Sequence, residues 1–112
     1  MSGVRLTRKL VLGAPQNVAD GAGGFSAAWA VLGTLWGEIQ PGSGREMAGV
    51  EVVLASVPYK IIVRGAPVGT VRRPKPEQRL RDASRLFTIL AVTEHDQDAR
   101  YLTCFAREEV PT

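Results

Sequence analysis

A chain of 112 residues suits one domain, spanning 1–112, and leaves no room for a second of ordinary size. Apolar residues make up 45 % and charged residues 22 %, ordinary values for a globular protein, and the net charge of +3 permits contact with nucleic acid or an acidic partner without requiring either. One cysteine, Cys104, excludes an internal disulfide, and with a single histidine, His95, it leaves too few ligands for a structural zinc. No signal-peptide pattern opens the sequence and no apolar run approaches a membrane span, so we expect a soluble protein made inside the cell, with no membrane partner and no cofactor.

Residues 4–12 alternate. Val4, Leu6, Leu10 and Leu12 share one face, Arg5, Thr7 and Lys9 the other, and Arg8 is a basic intrusion on the apolar face. This is the period of a half-buried strand. Residues 13–24, rich in Gly, Asn, Asp and Pro, read as a loop, with Asp20-Gly21 and Gly23-Gly24 marking a tight reversal. Residues 25–40 are open between two periods: a helical stripe of Ala28, Leu32, Leu35, Trp36 and Ile39, or a strand. Gly33 and Gly37 would each cost a helix interior about 1 kcal/mol, which favours the strand. Trp29 and Trp36 lie on this apolar segment and are expected in the core.

The stretch Pro41-Gly42-Ser43-Gly44-Arg45-Glu46 invites comparison with a phosphate loop. It lacks the lysine and hydroxyl that such a loop places after its last glycine, and Glu46 would repel a phosphate. The letters fit a helix start instead: Ser43 as N-cap, Glu46 three residues on as its capping-box partner, and Pro41 ending the strand before it. A short helix over residues 44–54 is expected.

Residues 55–64 alternate again, with Val57, Tyr59, Ile61 and Val63 facing one way and Lys60 and Arg64 the other. Residues 65–81 hold three prolines and two glycines; Arg72, Arg73, Lys75, Arg79 and Arg81 face one acid, Glu77. We read them as a long extended cationic loop. A central strand is expected over 85–93, a polar turn over 94–100 and a last strand over 101–107. The order implies a mainly β fold: a small antiparallel β-barrel or sandwich with one short inserted α-helix and a long basic loop.

No constellation for catalysis stands out, and an enzyme is not expected. His95 with Glu94, Asp96 and Asp98 reads as a solvated hairpin turn, and Cys104, on a face with Leu102 and Ala106, as a buried small hydrophobe. The cationic loop is the one candidate site: Arg72, Arg73, Lys75, Arg79 and Arg81 can meet phosphates or an acidic protein. No aromatic lies between Tyr59 and Phe87 for base stacking, so backbone attraction is the form of nucleic-acid contact left to that loop.

The order of landmarks resembles the head–tail joining proteins of long-tailed phages, the head-closure or stopper family. The landmarks are a basic strand at 6–12, a D-x-x-G-G turn at Asp20–Gly24, Trp29, the segment Leu35–Glu46, the strand Tyr59–Arg64, the strand Phe87–Val92 and the strand Arg100–Glu108. Within it, Trp36, Pro41, Ser43, Gly44, Arg45 and Glu46 form the most specific signature. Gly37 stands where the family pattern has alanine, and the loop 65–81 is richer in Pro and Arg than the pattern. The resemblance implies strand over 27–40 and a β-barrel with one inserted helix. It implies a virion or phage-like particle protein, of a phage or of a gene transfer agent, assembled in a bacterial cytoplasm as a homo-oligomeric ring, a hexamer before a dodecamer. That ring lies between the portal and adaptor proteins above and the tail-terminator or tail protein below, with packaged double-stranded DNA in its channel. The alternatives are a small basic β-barrel whose main task is nucleic-acid binding, or a neighbouring connector or tail-terminator ring.

Overall fold

In the computed structural model the described residues are 3–41 and 57–109. Six strands follow one another: β1 (Arg8–Ala19), β2 (Phe25–Pro41), β3 (Val57–Arg64), β4 (Arg79–Asp82), β5 (Arg85–Glu94) and β6 (Tyr101–Glu108). They close into an antiparallel barrel in the order β1-β2-β3-β6-β5-β4. Every regular element among the described residues is a strand. The helix expected over 44–54 lies outside them, as do Ser43, Gly44, Arg45 and Glu46.

Alternation fills the barrel. Leu10 and Leu12 come from β1, Ile61 and Val63 from β3, Leu80 from β4, Phe87 and Ile89 from β5, and Leu102, Cys104 and Ala106 from β6, all essentially sealed from solvent. Each large side chain contributes about 1.5–3 kcal/mol on burial, against about 0–1 kcal/mol for an exposed ion pair. The core therefore sets the stability, and surface pairs such as Arg8–Asp82 trim it. Tyr59 meets Phe87 edge to face, with centroids 5.3 Å apart. Before β1, the segment Gly3–Thr7 is not a strand; Arg5 N donates to Glu38 Oε1 of β2 at 2.8 Å. The strand read over 4–12 therefore begins only at Arg8.

Three further expectations are corrected. The loop over 13–24 shrinks to the turn Asp20–Gly24, because Gly13–Ala19 pair in register with Val31–Phe25. Pro15 is tolerated there since this part of β1 bonds to β2 alone and is an edge strand. The cationic loop ends at Gln78: Arg79–Asp82 form β4, bonded to β1 and β5, with Leu80 opposite Leu12 and Phe87. The prolines stop at Pro76, so the residues after it can donate to a ladder, and Arg79-Leu80-Arg81 alternates out-in-out. Finally, neither tryptophan is in the core: Trp29 is 40 % and Trp36 53 % exposed.

Candidate functional site

The longest strand makes the most conspicuous feature. β1 meets β4 only at Val11–Gly13, and β2 meets β3 only at Gly37–Pro41. The rest of the β1–β2 hairpin bonds to itself and leaves the barrel as a two-stranded arm. Seven residues, Gly13–Ala19, carry it roughly 20 Å outward at strand rise, consistent with a molecule 57 Å long and 33 by 26 Å across. At the arm's root the register shifts, with Leu12 opposite Gly33 and Gly13 opposite Val31, so Leu32 is the extra residue of a β-bulge. The bulge reverses the alternation of β2: Trp36 and Thr34 point outward below it, Val31, Trp29 and Phe25 above it. One outer face thus gathers Phe25 (73 % exposed), Val31 (69 %), Trp29 and Trp36. Residues 13–37 contain a single charge, Asp20.

The arm's tip is built by that charge. Asp20 Oδ1 accepts from Ala22 N at 2.8 Å and Gly24 N at 3.1 Å, while Gly21 and Gly23 take the positive φ angles of 81° and 85° that the reversal needs. The bonds from Ala22 and Gly24 hold the Asp20 carboxyl below the usual carboxylate range, so the tip stays negative.

At the arm's root lies a cleft of about 430 Å³ between the arm, β4 and the β4–β5 turn, lined among others by Val11, Trp29, Val31, Arg79, Arg81 and Leu86. Arg79 stacks over Trp29, 3.7 Å from the ring centroid, and pairs with Glu109 at 3.4 Å. Arg81 is exposed and makes no ion pair among the described residues.

The five cationic residues read as one loop therefore separate into two groups. Arg79 and Arg81 belong to β4 and the cleft. Arg72, Arg73 and Lys75 belong to a chain of turns crossing the end of the barrel. Arg73 is half-buried and donates to Ala66 O at 2.9 Å, so it braces the loop. Arg72 and Lys75 are exposed. The turns are anchored: Pro74 is fully buried, Glu77 N donates to Ile89 O at 2.8 Å, and Ile89 N donates to Gln78 O at 2.9 Å. This is a fixed cationic cap, not a free loop. Of the signature residues described, Trp36 faces out opposite Lys9 and Pro41 ends β2 opposite Tyr59.

The remaining titratable groups serve the fold. Burial pushes the Cys104 thiol up to about 12, against the opposing pull of Arg73, so no thiolate forms at neutral pH. His95 Nδ1 lies 3.0 Å from the Thr103 hydroxyl, and Asp96 and Asp98 pair with Arg100. Among the described residues no three His, Cys, Asp or Glu side chains converge as a metal set. Arg85 clasps Glu108 at 2.8 Å, and that bond holds the Glu108 carboxyl below its usual range.

Sequence reasoning missed the arm's outer face. The signal was there, in 25 residues with one charge and apolar residues at period two, but the bulge at Leu32 broke the alternation that would have revealed it.

The described residues thus form a closed barrel whose most conspicuous exposed features are an apolar arm and a cationic cap. The chain belongs to the phage head completion protein family, whose pattern matches residues 1–109. Among solved structures, a chain of the virion of a native gene transfer agent particle is 56 % identical, over 96 % of this chain and 98 % of that one, with a TM-score of 0.76. Protein SF1141 from Shigella flexneri 2a, at 18 % identity over the whole of both chains and a TM-score of 0.74, shares the fold. Among curated proteins none matches.

Proposed function

We propose that this chain is a head-closure protein of a phage or gene-transfer-agent particle. It forms a homo-oligomeric ring that joins the portal and adaptor of the DNA-filled capsid to the tail. The observation that carries the reading is membership of the head completion family together with a 56 % identical relative in a gene transfer agent virion. The architecture suits it. A ring subunit needs a rigid body and exposed edges, and here both strands of the arm offer backbone groups along their outer sides that pair with no strand among the described residues. Within that reading, Arg72 and Lys75 on the cationic cap are the groups that meet packaged DNA, because they are exposed and carry charge, whereas Arg73 is committed to Ala66 O.

Deleting the gene and imaging the particles by electron microscopy tests the function. Separate tails beside tailless heads are expected, and intact tailed particles would refute it. The DNA role has its own test. Arg72→Ala with Lys75→Ala should let filled heads lose DNA before tail joining, and normal retention would remove DNA contact from the proposal.

One observation favours a second reading, that of a nucleic-acid binder. Trp29 under Arg79, and Trp36 opposite Lys9, place aromatic and cationic groups on the same outer face. A single-stranded oligonucleotide that quenches tryptophan emission of the purified protein, with a steep loss on adding salt, would favour it. Unquenched emission would dispose of it.

A further inference from the structure

The tip and the root of the arm are complementary, and they cannot meet within one molecule. The tip offers Phe25, the most exposed aromatic of the outer face, beside the one charge of the arm, Asp20. They are joined through the turn, where Asp20 N donates to Gly24 O at 3.1 Å. Asp20 Oδ1 is taken by two backbone bonds, while Oδ2 accepts none among the described residues. The root offers the reverse: an open cleft of about 430 Å³ with Val11, Val31 and Leu86 as apolar lining and, at its wall, Arg81, which has no ion pair among the described residues. Ladder bonds run the length of the arm, so it cannot fold back over the roughly 20 Å that separate its own tip from its own root.

We propose that the arm tip of one copy seats in the root cleft of the next copy of this chain, with Phe25 against the apolar lining and the Asp20 carboxylate on Arg81. This rests on the ring reading above and supplies its subunit contact. The contact is heterologous, tip to root, so it links copies in one direction and closes into a ring when the rotation per subunit permits. Charge complementarity favours a second copy. The cleft's free charge is positive, and the arm that must reach it carries one charge, which is negative and at its end. The charge fixes the register, and the apolar contact supplies most of the affinity.

The test uses particles made in a deletion strain supplied with variants. Ala22 at the tip and Ser84 at the cleft are both exposed, and Cys104 is buried and unreactive. Ala22→Cys with Ser84→Cys in one chain should, on mild oxidation, yield a ladder of dimers and higher multimers on a non-reducing gel, and each single variant should give none. A dimer from Ala22→Cys alone would mean tip meets tip and would overturn the proposal. So would particles that contain the doubly substituted protein without any cross-link and are also indifferent to the charge reversals below, though these would leave the head-closure function standing. Particles that never contain the protein would overturn the ring reading and the proposal with it. A second set of variants guards against a cysteine pair that merely fails to align. Asp20→Arg or Arg81→Asp alone should lower incorporation about tenfold or more, and the two together should restore it. Incorporation unchanged by either reversal, or not restored by both, would overturn the salt link.

Discussion

At the residue scale, two glycines differ in what surrounds them. A Cβ on Gly65 would collide with the backbone carbonyl of Ala99 and lie 3.2 Å from Arg100 O, the group that accepts the 2.7 Å bond from Gly65 N. Backbone cannot step aside without opening the end of the β3–β6 ladder. A Cβ on Gly37 would come within 2.7 Å of Leu10 Cδ1, a methyl that can rotate away, and 3.1 Å of Ile62 O. Gly65→Ala should therefore cost about 2–3 kcal/mol and Gly37→Ala about 1 kcal/mol. Denaturant unfolding that ranks them the other way would show that the Leu10 side chain cannot give. The Arg85–Glu108 clasp adds a pH dependence. Hydrogen bonding to Arg85 lowers the folded-state pKa of Glu108 below its unfolded value near 4.5, so the stability it contributes is present above that value and is lost as pH falls through the lower folded value. Thermal unfolding should fall between pH 5 and strong acid, and Glu108→Gln should flatten that part of the profile. Cys104 acts at the other end: its thiol, near 9 unfolded and about 12 folded, contributes stability that fades as pH rises from about 9 toward 12.

At the element scale, the barrel and the arm are separable. No core side chain comes from residues 14–31; the core draws on Leu10 and Leu12 before them and on β3, β4, β5 and β6 after them. Replacing residues 17–27 by a two-residue Asn-Gly turn, which leaves the paired Gln16 and Ala28 on either side of it, should leave the unfolding temperature within a few degrees of the parent chain while abolishing incorporation into particles. A large loss of stability would show that the arm braces the barrel. This division explains what the sequence made legible. The strands expected at 85–93 and 101–107 announced themselves, the first as a near-continuous apolar run and the second as an apolar-rich segment, and neither carries a breaker. β4 was hidden by its company, since Arg79-Leu80-Arg81 follows a run of prolines and arginines and only Leu80 among its residues is buried. The near half of the arm was hidden because Gly13, Pro15 and Asn17 are poor strand formers, held in place by pairing with β2, which propensity does not register. The candidate site fared worse than the fold. Charge composition picked out all five cations, but which of them are free depends on long-range partners: Ala66 O for Arg73, Trp29 and Glu109 for Arg79.

At the scale of the whole molecule, the distribution of aromatic surface is what the ring proposal has to account for. A monomer rarely leaves large apolar side chains gathered on one face, yet Phe25, Val31, Trp29 and Trp36 share one here, along strands whose outer edges pair with no strand among the described residues. Natural proteins blunt such edges with charges or prolines unless pairing is their purpose; β2 carries neither between Phe25 and Trp36. The two tryptophans make this measurable. Trp36→Phe leaves Trp29, which lines the root cleft, as the sole reporter. In the dilute isolated protein its emission should be that of a partly hydrated indole, because it is 40 % exposed and shielded on one face by Arg79. On assembly the incoming tip covers the cleft, and the emission should move to shorter wavelength and resist a soluble quencher. Trp29→Phe, keeping Trp36, separates this from general burial: Trp36 stands below the bulge, outside the cleft lining, and its emission should move less. Equal shifts from both would mean that the whole outer face is covered at once and that the tip-in-cleft contact is too narrow a description of the interface.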